Sequence, residues 1–192
     1  MNQSMTVPSD HIKRIVCQMP LRHLKQSWVQ SLVRSRIFIW LLRKRGYDTT
    51  DLIERGAVLF PDDLIQKVPH TQLDIEQGAR CLAFELPTAA GFHFHRANES
   101  VLHRYYDAVT NGKPRLSGWN IGEYLAAFKA HQVGDPLVLS ALKDLKDLHR
   151  NPLIHPEHTL ESVDQAIALL GSIQCVVVYM LKAIPLPPAK TT

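Results

Sequence analysis

Along most of this 192-residue chain, apolar residues recur at intervals of three and four, the spacing of one face of an α-helix. Strand-like alternation is nearly absent, and no Asn-Gly or Asp-Gly pair joins two alternating runs. Thr110-Asn111-Gly112-Lys113 lies between two helical patterns and reads as an interhelix turn. Leu24, Trp28, Leu32 and Ile39 trace a helix over about 21–45. Gly46 is its expected stop, with Arg43, Lys44 and Arg45 in the last turn, where cations suit the helix dipole. Pro20 separates it from a shorter helix at 10–18. Residues 46–59 read as a linker with a weak helical turn, and Pro61-Asp62-Asp63 opens a short helix to about Val68.

Five longer helices follow. Helix A covers about 71–85, with Leu73, Ala79, Leu82 and Ala83 among its apolar positions. Helix B covers about 88–109, after Pro87. A Gly/Lys/Pro-rich loop at 111–117 leads to helix C, from about Trp119 to His131. Helix D runs from Pro136 to Arg150, with Leu139, Leu142, Leu145 and Leu148 at three-residue steps. Pro152 ends it, because the residue before a proline is pushed out of α conformation. Helix E starts after Thr159 and reaches about Lys182. Thr159, Glu161 and Ser162 offer capping chemistry, without a strict Thr-x-x-Glu box. The end, IPLPPAKTT, is a Pro-rich tail. The fold class is therefore all-α: a bundle over about 60–184, an extra helical segment over 1–55, and a tail at 185–192.

Composition sharpens this picture. Apolar residues make up 45% and charged residues 21%, which suits a chain that buries a core. Cys17, Cys81 and Cys175 are odd in number and form no CxxC pair, so a reducing, cytoplasmic setting is expected rather than a disulfide scaffold or zinc knuckle. The opening MNQSMTVPSDHIKR has no apolar core of a signal peptide. The runs IFIWLL and CVVVYML are far shorter than the roughly 20 residues that span a bilayer, so no membrane association is expected. Charge is uneven. Residues 1–55 hold ten Lys/Arg against four Asp/Glu, and the remainder holds twelve against fourteen. The basic excess is thus confined to the N-terminal segment, where it serves either phosphate attraction or an ordinary solvated face.

The stretch Arg150-Asn151-Pro152-Leu153-Ile154-His155 groups a guanidinium, an amide and an imidazole at the joint between helices D and E. RNA cleavage through its own 2′-hydroxyl needs a proton acceptor, a proton donor and a cation for the charged phosphorane. Histidine titrates near neutrality, and arginine grips phosphate oxygens in a fork. One chain supplies one such histidine; a two-fold dimer would supply two across a shared cleft. The alternative is a structural joint, with Arg150 capping carbonyls and His155 packed over Pro152.

These residues, together with the upstream helix TAAGFHFHRANESVLHRYYDAV, resemble the HEPN superfamily, whose signature is Arg, four to six residues, then His, often with Asn after the Arg. The likeness covers about residues 60–184 and leaves 1–55 unexplained. It implies a four- to five-helix bundle, usually a homodimer with facing motifs. It also implies metal-independent endoribonuclease activity in many members, with a role in defence or stress response, and a non-catalytic dimerisation or interaction module in others. No cofactor is implied. On this resemblance Arg150, Asn151 and His155 are the catalytic set, and Glu99 is the acidic residue that supports it by pairing with Arg150. A cognate regulator or antitoxin is a further implied partner. However, Glu157 occupies the place where some toxins of the superfamily carry a modifiable tyrosine, which counts against that particular mechanism.

Arg96, Glu99 and His103 stand at helical steps of three and four and share one side of helix B. Arg96 is read either as added phosphate-binding charge, if it faces inward, or as half of a surface pair with Glu99. Arg96, His149 and His158 are the further candidate RNA contacts. His93 and His95 point roughly 200° apart on a helix and cannot share a metal ion. His155 and His158 could converge, but no third ligand is evident, so no metal site is expected. Trp28, Phe38 and Trp40, interleaved with basic residues, form either a single-strand-binding surface or the packing face of an amphipathic helix. Tyr105 and Tyr106 are assigned to the core or a dimer seam.

Overall fold

The computed structural model describes residues 43–44, 46–114, 120–150 and 159–187; Arg43, His149 and Arg150 are described by backbone alone. Within these residues the architecture is all-α. Most of the N-terminal segment, including Trp28, Phe38 and Trp40, lies outside them.

The first described element corrects the expected helix to Arg45. Arg43–Lys44 (β1) pairs with Tyr47–Asp48 (β2) in a two-residue ladder. Gly46 turns the chain between them at φ +96°, a conformation that glycine reaches without a Cβ penalty. Arg43 and Lys44 are therefore in a strand, not a last helical turn; Arg45 and residues 21–42 of the expected helix lie outside the described residues. Asp48 then caps α1 (Thr49–Glu54) by accepting from the Thr50 and Asp51 amides. A 3-10 turn follows at Gly56–Leu59. Leu52 and Leu59 are buried in the same core as the later helices, so residues 46–59 are not a linker. The compact unit begins at Lys44 rather than near residue 60.

After α2 (Leu64–Lys67) and a 3-10 turn at Pro69–Thr71, the chain forms α3 (Gln72–Ala83) and α4 (Pro87–Val109). Pro87 occupies the first turn of α4, where its missing N–H costs nothing. These two helices and α7 (Val163–Ala183) make the most extensive contacts, with α4 packed on both of the others. Gly78 allows the close approach of α3 and α4, since a Cβ there would lie 2.6 Å from the Phe94 ring. Helices α5 (Ile121–His131) and α6 (Pro136–Leu145) complete the described bundle. Tyr105, Tyr106, Tyr124 and Phe128 form an aromatic cluster between α4 and α5.

Two apolar assignments change. Leu73 is 63% exposed, and Ile75 takes the buried place at the start of α3. Along helix D, Leu142 and Leu145 are buried but Leu148 is 68% exposed. Each three-residue step falls short of a full α-helical turn by about 60°, so a leucine nine residues beyond Leu139 has turned to the far side. The helix also changes type: after Leu145 the chain widens into a π turn over Lys146–Arg150. At the start of α7 the cap is Ser162, not Thr159. Ser162 Oγ accepts from Gln165 N at 3.3 Å, and Gln165 Oε1 accepts from Glu161 N at 2.7 Å. This is close to the reciprocal Ser-x-x-Gln box.

Helix α7 is long and apolar enough, by length and composition, to cross a membrane, which the short run CVVVYML did not suggest. Its stripe from Ala166 through Leu169, Ile173 and Val177 to Met180 is buried in the bundle, as in the central helix of a globular core.

Candidate functional site

Helix α4 organises the polar chemistry because its 23 residues present different sides to different neighbours. The side centred on Phe94, Ala97, Val101 and Tyr105 is buried. The opposite side carries Phe92, His93 and Arg96, and here α3 supplies one carboxylate. Asp74 is only 7% exposed. Its Oδ1 lies 2.9 Å from His93 Nδ1 and 3.1 Å from Arg96 Nε, while Oδ2 lies 3.3 Å from the same Nε. An ionised carboxylate only accepts, so His93 Nδ1 carries the donated proton and Nε2 is the nitrogen left over. Burying a charge is costly unless it is paired; Asp74 is paired twice.

Arg96 therefore does not face inward. Its side chain is 69% exposed, and its described partner is Asp74 rather than Glu99. His93 and His95 separate as helical geometry requires: His93 meets Asp74, and His95 is buried. Glu99 is half-buried and engaged. Although Arg96 and His103 share a side of α4, only His103 is buried. Tyr124 of α5 covers it, with ring centroids 5.0 Å apart. Earlier along α4, Phe92 and Arg96 are exposed.

Sequence reading missed two members of this region. Asp74 drew no attention because its partners stand 19 and 22 positions away. Asn98 is completely buried, at 0% exposure, and neither amide atom has a hydrogen-bond partner among the described residues. Its place was legible: Phe94, Asn98, Val101 and Tyr105 form an i, i+4, i+7, i+11 series on the core face.

The π turn after α6 ends at Arg150, the first residue of the Arg-Asn-Pro-x-x-His stretch. A wider turn there accords with Pro152 ahead, whose ring would clash with a carbonyl four residues back in a continued α-helix. π turns recur at functional sites. The side chains of His149 and Arg150, and the whole of Asn151, His155 and His158, lie outside the described residues. The chain is described again at Thr159, and Leu160 is tied to the first turn of α4: Thr88 Oγ1 accepts from Leu160 N at 3.0 Å and donates to Leu160 O at 3.3 Å. Beside the π turn, Ala141, Leu145 and Leu148 face Cys175 and Val176 of α7 across an open apolar groove of about 320 Å³.

Among the described residues, no three His, Cys, Asp or Glu side chains are grouped to hold a metal ion. Burial raises the Cys81 thiol above its ordinary range, which disfavours the reactive thiolate. No protein-family description, curated protein or solved structure matches the chain.

Proposed function

We propose that this protein is a metal-independent endoribonuclease of HEPN type, acting as a homodimer. The observation that carries this reading is the joint itself: α6 widens into a π turn that delivers Arg150 at its end, where the sequence continues Asn151-Pro152-Leu153-Ile154-His155. The all-α bundle around α4 and α7 is the scaffold such a site requires. Leu148, two residues before Arg150 and 68% exposed, borders the apolar groove between α6 and α7, which offers a second copy a seat next to the motif.

In this mechanism the His155 imidazole of one copy accepts the 2′-hydroxyl proton. The 2′-oxygen attacks the adjacent phosphorus, and the bond from phosphorus to the 5′-oxygen breaks. The partner copy's imidazolium protonates the leaving 5′-oxygen, so the products are a 2′,3′-cyclic phosphate and a 5′-hydroxyl. Arg150 neutralises the phosphorane, while Asn151 and Glu99 hold the pair in place. General acid–base catalysis of this kind contributes about 10²–10⁴-fold.

The test is cleavage of single-stranded RNA by the purified chain in EDTA. His155→Ala abolishes cleavage and leaves the dimer and its melting temperature intact. The second reading is a dimerisation module without catalysis, favoured by the same exposed Leu148 groove. Under it, His155→Ala loosens the dimer or lowers its melting point, and no RNA is cut by the parent chain.

A further inference from the structure

We propose that Phe92, His93 and Arg96, backed by Asp74, form a platform on the open side of α4 that binds one nucleotide unit of single-stranded RNA. RNA as the ligand rests on the nuclease reading above, but the side chains are different ones and their contribution is separately measurable.

Three features point to a nucleotide rather than to a simple interhelix lock. Asp74 engages Arg96 through Nε, so the guanidinium is oriented while its two terminal nitrogens remain for an anion. That is the fork by which arginine grips phosphate. Asp74 also takes Nδ1 of His93, which turns Nε2 away from the carboxylate and fixes the ring beside the fork. Finally, Phe92 stands one helical turn before Arg96 and is 43% exposed, so part of its ring is reachable from solvent. Residues four apart on a helix are about 5–6 Å apart at their Cβ atoms. An oriented cation and a solvent-reachable aromatic ring at that separation match a phosphate and the base attached to its sugar. A lock between α3 and α4 would require Asp74 and one cation; it would not require an open ring or a guanidinium presented to solvent.

Arg96 is the one guanidinium of this platform and Asp74 already shares its charge, so a single phosphate contact is assigned to it, and stacking on Phe92 supplies much of the affinity. The two contributions are separable by salt. The full chain carrying His155→Ala, which leaves the probe intact, is titrated into a short fluorescently labelled single-stranded RNA at several salt concentrations, and anisotropy is read. Phe92→Ala weakens binding by about tenfold with an unchanged salt slope. Arg96→Ala weakens binding and makes the slope of log K against log salt shallower by about 0.7. Both side chains are exposed, so both variants fold, which circular dichroism verifies.

The platform is overturned if both variants bind RNA as the parent does, if the parent binds no RNA, or if the substitutions change the oligomeric state instead of RNA affinity. The nuclease reading fails by a different result. RNA bound through Phe92 and Arg96 but never cut by the unsubstituted chain keeps the platform and removes the nuclease. Cleavage lost in His155→Ala while Phe92→Ala and Arg96→Ala bind normally does the reverse.

Discussion

Opposite sides of α4 border buried polar groups under contrasting conditions. Toward solvent, the Asp74 carboxylate is nearly enclosed, yet His93 and Arg96 both bond to it. Toward the core, the Asn98 amide is fully enclosed, and no described group bonds to it. A buried amide without a partner costs about 1–3 kcal/mol, whereas a paired carboxylate joins the two helices that supply its partners. The depth of a polar group therefore says little about its effect on stability; the partner decides the sign. Tyr105, on the same core side as Asn98, sharpens the point, because its hydroxyl accepts from Asp135 N at 2.7 Å.

The apolar reference for both sides is Phe94, fully buried against Gly78 and near Phe60. Phe94→Ala is expected to lower unfolding free energy by about 3–5 kcal/mol, measured by urea denaturation; a loss well under half of that would mean the α3–α4 contact collapses to fill the space. Asp74→Ala comes next. Removing one member of a fully buried pair costs about 3–5 kcal/mol, but Arg96 is mostly exposed and can rehydrate, so about 1–3 kcal/mol is expected. A neutral Asp74→Ala would show that the outer cluster does not tie the helices together.

Tyr105→Phe leaves the Asp135 amide without its acceptor and should cost about 1 kcal/mol. It should also change the alkaline limb of stability. Burial, the largest cause, pushes the Tyr105 hydroxyl above its ordinary range, and the Asp135 carboxylate pushes the same way, while the bond from the Asp135 amide opposes them. A folded-state pKa raised above the unfolded value means that the stabilisation is fully present below about pH 10 and is lost as pH climbs through the folded pKa. Melting temperatures of the parent and Tyr105→Phe, followed upward from pH 9 or so, should converge; a constant gap refutes this. The smallest effect has the opposite sign. Asn98→Leu should raise stability by about 1 kcal/mol by removing an unbonded buried amide, and a marked loss in the same denaturation assay would reveal a real bonding partner for Asn98.

Much of the fold was legible because helices are local. Pro87 at the start of α4, the turn at Asn111-Gly112 and Pro136 at the start of α6 are written in residues that restrict their own backbone. Apolar spacing located α3 through α7 to within a few residues, apart from the later start of α7 at Val163. It erred where spacing met its geometrical limit, at Leu148, and where an end of a helix escapes its neighbours, at Leu73. The strand pair at Arg43–Asp48 was missed because two residues per strand leave no alternation to detect. Of the polar cluster the structure describes, His93 and Arg96 were noticed in the sequence, but not their common partner. Arg150 is a candidate from its motif alone, and the π turn that ends there is a local departure that periodicity does not encode. Asp74 was not legible, since nothing near it in sequence names His93 and Arg96 as its partners.

By itself, the sequence determined that the chain is helical and where most of the helices begin and end, because caps, prolines and apolar periods act over a few neighbouring residues. Only the tertiary structure decided which side chains those helices would cover. His103 and Arg96 lie on one side of the same helix, yet α5 seals the first under Tyr124 and α3 presents Asp74 to the second. Burial and pairing depend on what packs opposite, and that is set by residues distant in the chain.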